Sequence, residues 1–312
     1  MPDSDVKKRR SVDLSLLLVA VVWGSSYLTA KSLLAVMGVL TLLTLRFALT
    51  TGALGVLWLV RRSQVTRREV TISLALGVVQ LVIFVLETNG VQRTSATNAG
   101  LIISLAIVLT PLLEGIARKS WLPAPFFVAT TVAVTGVALL VSSHGFHSPT
   151  VGDALMLAAA FTRALHVTLM GHLTKGYDYS SLFMTFVQCA VCAFCFAAVG
   201  TPGAIHVLGL LTATQWFGLV FLGLACSVFG FLVQLWAIRL TSASRASLLL
   251  GTEPVWAVLV AIVVGHEGLA ALGVVGAGLI VASTYVAQGV ETRHRNHART
   301  SPVESSASAQ RG

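Results

Sequence analysis

The chain consists largely of apolar stretches about 20 residues long, separated by short polar connections. The hydrocarbon core of a bilayer is about 30 Å thick, and an α-helix needs about 20 apolar residues to cross it. Because lipid offers no hydrogen-bond partners, a spanning backbone must bond internally, and the alternating pattern of a barrel strand is absent. The sequence therefore predicts an all-α, polytopic membrane protein.

Composition agrees with this class. Only 11% of the residues are charged and 55% are hydrophobic, whereas charged residues make up about a quarter of a typical soluble domain. A water-soluble core cannot bury so much apolar surface. These values exclude a cytosolic enzyme, a secreted disulfide scaffold and a disordered regulator.

Ten transmembrane helices are expected. We place them at 14–36, 39–60, 71–91, 95–117, 123–142, 151–173, 180–200, 214–238, 243–264 and 268–290. This division gives a basic N-terminal segment (1–13), a first five-helix unit (14–142), a second one (151–290) and a polar, Ser-rich tail (291–312) that we expect to be disordered.

The basic residues predict the orientation. With the N-terminus inside, 17 of the 21 Lys and Arg residues fall on the cytoplasmic side, one on the outside and three within spans. This bias predicts that both termini are cytoplasmic in a multi-pass protein of the cell (inner or plasma) membrane. The net charge of +9 is thereby explained without nucleic acid. An alternative for the first span is a signal peptide, in which Lys7 to Arg10 precede the apolar run from Leu14 to Val22 and Arg9-Arg10 resembles a twin-arginine export signal.

The two halves of the chain resemble each other. Thr94-Ser95-Ala96 opens the fourth span, and Thr241-Ser242-Ala243 opens the ninth. Behind each opening, small residues recur every fourth position, a pattern that lets helices approach closely in membranes. Because each half has five spans, the second must cross the membrane in the opposite sense, as in inverted-repeat transporters.

Several short motifs resemble the EamA family of the drug/metabolite transporter superfamily. They are Trp23-Gly24-Ser25-Ser26-Tyr27, Leu45-Arg46-Phe47, the two Thr-Ser-Ala openings and Glu253-Pro254. The resemblance covers about residues 14–290. It implies ten helices in two inverted repeats, a central cavity, and movement, often export, of small metabolites such as amino acids. Two features depart from the family: Arg163 replaces a common aromatic residue, and no acidic residue precedes Pro111.

Ionisable residues inside spans are costly unless they face a cavity or a partner. Arg46, Glu87 and Lys31 have similar depths in the first three spans. We expect them to form a gate or ion-pair cluster in the outer half, either in contact with substrate or as a lock between helices.

Arg163 and Glu253 lie near the middle of their spans. A buried guanidinium suits a carboxylate or phosphate, so Arg163 is a candidate substrate ligand; the alternative is a structural pair with Glu253. His166 shares a helix face with Arg163 and could carry a coupling proton, or it could make a single packing hydrogen bond.

Other residues complete the expected site. Trp23, Tyr27 and Ser26 are expected to line the route, where aromatic faces suit amphipathic or cationic groups. Pro254 and Pro111 are expected to kink their helices, and each kink could instead be plain accommodation of proline.

We also expect Glu114 to form a surface pair with Arg118, one turn away in the same helix. Trp236 and Trp256 could line the route or face lipid.

These features predict a secondary transporter of small organic metabolites that works by alternating access. The alternative within transport is efflux of cationic or amphipathic drugs, with Glu253 or Glu87 as the main ligand. A membrane enzyme or a sensor is a weaker alternative, because no nucleophile–base set, metal motif or nucleotide loop is apparent. The expected partners are the bilayer, a small-molecule substrate and a second copy in a homodimer. No cofactor or metal is expected, and coupling to protons or to the substrate gradient would supply energy.

Overall fold

The computed structural model describes residues 3–62, 64–94, 96–118, 121–142, 150–265 and 271–294, the last range with gaps at 277, 284, 288 and 291–292. Regular structure within these ranges is helical throughout, with no strand. The helices are α1 (Asp3–Leu34), α2 (Val39–Arg61), α3 (Arg67–Arg93), α4 (Ala96–Ser104), α5 (Ala106–Arg118), α6 (Ala124–Ser142), α7 (Val151–Leu173), α8 (Ser181–Leu208), α9 (Ala213–Val220), a π-helical segment (Phe221–Phe229), α10 (Gly230–Leu240), α11 (Ala243–Leu250) and α12 (Glu253–Gly265). Further helical residues follow from 271.

The helices are those of a polytopic membrane protein. Six are long and apolar enough to cross a bilayer: Arg10–Leu34, Val39–Arg61, Arg67–Arg93, Val151–Leu173, Ser181–Leu208 and Ala213–Leu240. Shorter apolar helices cover Ile102–Ala117, Ala124–Gly136 and Ala271–Ala287. The all-α membrane class is confirmed, while the count of ten and the orientation stay predictions.

Most predicted bounds lie within a turn of the observed ones. The exceptions are α1, which extends back to Asp3 through the segment predicted as a separate N-terminus, and α8, which continues to Leu208 with Pro202 inside it. Arg293 and His294 are helical. The rest of the tail predicted as disordered lies outside the described residues.

The fourth and ninth predicted spans are not continuous helices. The fourth span is interrupted at Leu105. There, backbone hydrogen bonds join residues three apart, from Leu105 N to Ile102 O and from Val108 N to Leu105 O, whereas an α-helix joins residues four apart. The ninth span is interrupted at Gly251 and Thr252. There, α11 ends at Leu250, whose carbonyl would be the helical partner of position 254, and Pro254 has no N–H to offer it.

Side-chain caps begin several helices. Thr150 and Asp153 form a reciprocal capping box at α7, and Thr212 and Gln215 form one at α9. The Ser242 hydroxyl of the second Thr-Ser-Ala opening accepts a hydrogen bond from Arg245 N at 3.0 Å. Ser and Thr are among the residues preferred at this capping position. Ser95, the counterpart of Ser242, lies outside the described residues.

Helices α2 and α8 pack along each other at very short range. A Cβ placed on Gly200 would lie 2.2 Å from Thr44 Oγ1 and 2.7 Å from Leu40 O, so only glycine fits there. Thr44 Oγ1 in turn donates to Phe196 O across the interface at 3.0 Å. Close approach of backbones and interhelical hydrogen bonds are the usual means of helix association in lipid.

Polar contacts between distant parts of the chain also fix the bundle. The Arg245 guanidinium on α11 binds Asp13 on α1 through both carboxylate oxygens, at 3.0 and 2.6 Å. Glu114, expected at the surface beside Arg118, is instead buried and accepts hydrogen bonds from Ser244 N at 2.9 Å and from the Ser244 hydroxyl. Its carboxylate therefore joins α5 to the first turn of α11, because that turn presents N–H groups without helical partners.

Candidate substrate cavity

A cavity lies among the long helices. Its wall combines charged, amide and aromatic side chains contributed by α1, α2, α3, α7, α8, α10 and α12. They are Trp23, Ser26, Arg46, Gln80, Ile83, Phe84, Glu87, Arg163, His166, Met170, Thr185, Gln188, Phe231, Gln234, Leu235 and Glu253. A concave site with convergent polar groups is typical of small-molecule binding.

Arg163 on α7 is held by an aromatic face and a carboxylate. Its guanidinium carbon lies 4.6 Å from the centroid of the Trp23 ring, and its Nη1 lies 3.7 Å from Glu253 Oε2. That second distance is an ion pair but exceeds hydrogen-bond range. Much of the planar donor fork of Arg163 is therefore left for a ligand, and the predicted proximity of Arg163 and Glu253 is observed.

Glu253 is the first residue of α12, directly after the break at Gly251 and Thr252, and it is only 4% exposed. The Tyr27 hydroxyl on α1 is close enough to interact with both Glu253 and Arg163, although it makes no hydrogen bond of standard geometry. Tyr27 thus backs the ion pair from behind the cavity wall, whereas Trp23 and Ser26 line the cavity itself.

The second cavity arginine, Arg46 on α2, has a different environment. Its Nε donates to Ser227 Oγ at 2.9 Å, and its guanidinium carbon lies 4.9 Å from the centroid of the Phe84 ring. Ser227 belongs to the π-helical segment and bonds back to Leu222 O. Glu87 shares the cavity wall with Arg46 but forms no ion pair with it.

The π-helical segment offers backbone carbonyls to its neighbours. Trp23 Nε1 donates to Cys226 O at 2.8 Å, and Thr50 Oγ1 donates to Gly223 O at 3.0 Å. π-Helical segments are rare in proteins, and those that occur are often found at functional sites. Here the segment fixes the Trp23 ring that carries Arg163 and the serine that orients Arg46, so it positions both cavity arginines.

Lys31 does not join the predicted outer cluster. Its Nζ donates to the Thr94 carbonyl at 2.9 Å, and it does not line the cavity. Lys31 is near the end of α1, where the bare Thr94 carbonyl after α3 is an available acceptor. Of the cluster predicted for Lys31, Arg46 and Glu87, only Arg46 and Glu87 line the cavity.

His166 lines the cavity one turn from Arg163, on the same face as predicted. Its Nε2 lies 3.0 Å from Gln188 Oε1, and Gln188 Nε2 donates to Met184 O at 3.2 Å. This contact joins α7 to α8. The role of His166 in coupling stays a prediction.

Sequence reasoning missed the amide side chains of the site. Gln80, Gln188 and Gln234 each lie within an otherwise apolar span and reach the cavity. Buried amides must find partners, and Gln80 Nε2 has none among the described groups. A glutamine inside an apolar span is a sequence signal for a buried polar site, but only the charged residues of the spans were used to predict the site.

The two candidate prolines do not line the cavity. Pro254 is the second residue of α12, next to the second helix break, and Pro111 lies inside α5, six residues after Leu105. Trp236 and Trp256 do not line the cavity either; Trp236 is exposed, as a lipid-facing residue would be, and Trp256 Nε1 bonds to Thr252 Oγ1 at 3.3 Å.

A second, smaller cavity adjoins the first. The residues around it come mainly from the two broken helices, and Arg163, Gln234 and Glu253 are shared with the main cavity. Within the described part of the chain, no group of three or more His, Cys, Asp or Glu residues could hold a metal ion. The cavity walls offer charged groups for ion pairs and amide groups for hydrogen bonds with a ligand.

A helical membrane protein built around a central polar cavity has the architecture of a membrane transporter. The model of the EamA-like transporter family matches residues 10–142 and again residues 150–288. The chain therefore belongs to the EamA-like transporter family, which is part of the drug/metabolite transporter superfamily.

Two relatives from Archaeoglobus fulgidus carry the description of uncharacterized transporters. One is 25% identical over 281 residues, covering 89% of this chain and 86% of the relative. Another is 23% identical over 276 residues, covering 87% and 96%. A solved structure, titled only as the crystal structure of a protein, matches with a TM-score of 0.71 at 17% identity over 91% of this chain and 98% of its own. That likeness concerns the fold.

Proposed function

We propose that this chain is a secondary transporter of small zwitterionic organic metabolites such as amino acids, working by alternating access around the central cavity. The observation that carries this proposal is the balanced charge of the cavity wall. Arg46 and Arg163 line it together with Glu87 and Glu253, so a molecule with one carboxylate and one ammonium finds a partner for each.

The geometry favours Arg163 as the carboxylate ligand. Its guanidinium lies on the Trp23 ring, and its pair with Glu253 is too long for a hydrogen bond. A substrate carboxylate can therefore form the bidentate contact that Glu253 does not make. Arg46 is less available, because its Nε already donates to Ser227. Glu87, without an ion-pair partner in the described structure, is the ligand that we assign to the ammonium.

The test is an uptake screen with the purified protein in proteoliposomes. Amino acids, sugars, nucleobases and cationic dyes serve as probes, and we expect amino acids to be transported. Arg163→Ala should abolish that transport while the protein remains folded and inserted. Arg163→Lys, which keeps the charge and loses the planar fork, should retain only weak activity. Full activity of Arg163→Ala would contradict the assignment.

Efflux of cationic or amphipathic compounds is the second candidate. It is favoured by the aromatic part of the wall, formed by Trp23, Phe84 and Phe231, because aromatic faces attract cations. In that case dyes would be transported, Glu87→Gln or Glu253→Gln would abolish transport, and Arg163→Ala would not.

The setting of this activity is also part of the proposal. The excess of basic residues in the predicted cytoplasmic connections supports placement in the cell membrane with both termini inside. The protein would act without a cofactor and without catalysis, as a monomer or homodimer in the bilayer. Energy would come from the substrate gradient or from protons.

A further inference from the structure

The Arg163–Glu253 pair stands between two cavities. The main cavity and the smaller one have three lining residues in common: Arg163, Gln234 and Glu253. The Glu253 residue therefore borders both cavities. Among the described residues, no other acidic residue lines both.

The smaller cavity is shaped by the two helix breaks. Ser104 and Ala106 flank the break between α4 and α5, and Leu250 and Gly251 precede the break between α11 and α12; all four line the cavity. Because α4 and α11 end and α5 and α12 begin at these breaks, helix termini of both signs face the cavity. Glu253, the first residue of α12, is the acidic group among them.

Protonation of Glu253 would change the charge balance around Arg163. The titratable or charged groups that face Glu253 in the described structure are Arg163 on α7, Tyr27 on α1, Glu87 on α3 and Cys226 in the π-helical segment. The neighbouring helix α4 adds none. With Glu253 ionised, the Arg163–Glu253 pair is neutral. With Glu253 protonated, Arg163 is a buried cation without its counterion, which is costly inside a membrane.

We propose that Glu253 carries the coupling proton, and that its protonation releases Arg163 to bind the substrate carboxylate in the main cavity. This inference rests on the proposed function and assigns to Glu253 the role that the sequence had suggested for His166. In the step itself a proton adds to a Glu253 carboxylate oxygen, the ion pair with Arg163 is lost, and a charge-assisted contact between Arg163 and the substrate forms.

The sign of the pH dependence follows. A lower pH protonates Glu253, frees Arg163 and strengthens substrate binding; a higher pH restores the pair and weakens binding. Proton and substrate therefore bind together and cross together. For a zwitterion that is neutral overall, each cycle moves one positive charge in the direction of the substrate.

The first test needs no substrate. The emission of Trp23 depends on whether Arg163 lies against its ring, so the tryptophan fluorescence of the purified full-length protein is recorded from pH 4 to pH 9. We expect one transition that is lost in Trp23→Phe and in Glu253→Gln. Glu253→Asp keeps a titratable carboxylate and should shift the transition without removing it. Two variants should keep it: Glu114→Gln, which alters a buried glutamate away from the cavity, and His166→Gln. An unchanged transition in Glu253→Gln, or none in the wild type, would overturn the proposal.

The second test measures coupling. Proteoliposomes are given an equimolar mixture of labelled L-amino acids outside, with the outside one pH unit more acidic. One proton per substrate supports up to about tenfold accumulation over the level reached without a pH gradient, since one pH unit supplies about 1.4 kcal/mol per proton and this corresponds to a tenfold concentration ratio. Glu253→Gln should show no stimulation by the gradient. Stimulation by a sodium gradient instead would also overturn the proposal.

The two tests separate the two ideas. If no amino acid crosses in any arm, the proposed function fails, while the fluorescence titration still decides whether Glu253 controls Arg163. If amino acids cross and Glu253→Gln responds to the proton gradient like the wild type, the proposed function stands and this inference fails.

Discussion

The two broken helices are built alike but differ in charge. Helix α5 runs from Ala106 to Arg118, and α12 runs from Glu253 to Gly265; each start and each end is 147 residues from its counterpart. The preceding helices α4 and α11 begin at the same offset. Even the neighbours correspond: α12 packs against α1 and α4, and α5 packs against α7 and α11.

The difference lies in the first residue after each break. In the first broken helix it is Ala106, whose carbonyl accepts a hydrogen bond from Ser247. In the second it is Glu253, which faces Arg163. Because both copies contain the break and only one contains the acid, the fold requires the break and does not require the charge. We therefore attribute Glu253 and its partner to function.

The largest expected effect on stability comes from removing the charged pair at the second break, since the first break has none. Glu253→Ala leaves the Arg163 guanidinium buried without a counterion, and Arg163→Ala leaves the Glu253 carboxylate buried without one. Each single substitution should lower the stability in detergent by about 3–5 kcal/mol, and the double substitution should recover most of this loss.

All three variants should lack transport, whereas thermal unfolding should separate the singles from the double. If the double variant is as unstable as the sum of the singles, the two side chains do not interact and the comparison loses its basis.

A second effect concerns how closely α11 approaches α5. A Cβ on Gly251 would lie 2.1 Å from Ile107 Cδ1, a distance that forces side chain and backbone to move. Gly251→Ala should therefore destabilise by about 1–3 kcal/mol. The residue at the same offset in the first copy is Ser104. One turn before it, at Gly100 of the same small-residue pattern, an added Cβ meets no described atom within 4 Å.

Gly100→Ala is the control at a helix glycine with open space around it, and it should be neutral or stabilising by up to about 1 kcal/mol because alanine favours helix. Thermal unfolding of both variants decides the point. Equal effects of the two substitutions would mean that the close contact with Ile107 does not determine the loss at Gly251.

This contrast also shows what the sequence could predict. The small-residue pattern of the two copies predicted close packing for both, and the described structure shows it for Gly251 and not for Gly100. Sequence spacing places a residue on a helix face, but the distance to the next helix depends on tertiary packing. For the same reason the sequence placed Glu114 at the surface, whereas it is buried against Ser244.

The site residues that the sequence predicted are those whose charge is unfavourable in free energy inside a membrane. Arg163, Glu253, Arg46 and Glu87 stood out as charges in apolar spans, and all four reach the cavity. Lys31 stood out for the same reason and lies elsewhere, because it is near a helix end where a backbone carbonyl accepts its ammonium. The π-helical segment was not predictable, since nothing in its composition distinguishes it from an ordinary apolar helix.

A third, smaller effect tests the contact that joins the two breaks. Ser247 Oγ lies 3.1 Å from Ala106 O and 3.0 Å from Thr110 Oγ1. Ser247→Ala removes both interactions and should cost about 1 kcal/mol in thermal unfolding. Ser32→Ala, which removes only an exposed hydrogen bond within α1, is the control and should change stability by less. A larger loss in the control would contradict the assignment.

The smallest effect is expected at Pro254. In a continuous helix this proline would remove a hydrogen bond and kink the axis, as the sequence suggested. In the structure it is the second residue of α12, where the backbone N–H has no helical partner in any case. Pro254→Ala should therefore change the stability by no more than about 0.5 kcal/mol. Pro111 lies inside α5, so Pro111→Ala supplies an N–H where a helical acceptor, Ile107 O, is four residues behind. The second variant should change thermal unfolding more than the first, and the reverse order would mean that proline, and not the turn at Gly251 and Thr252, maintains the second break.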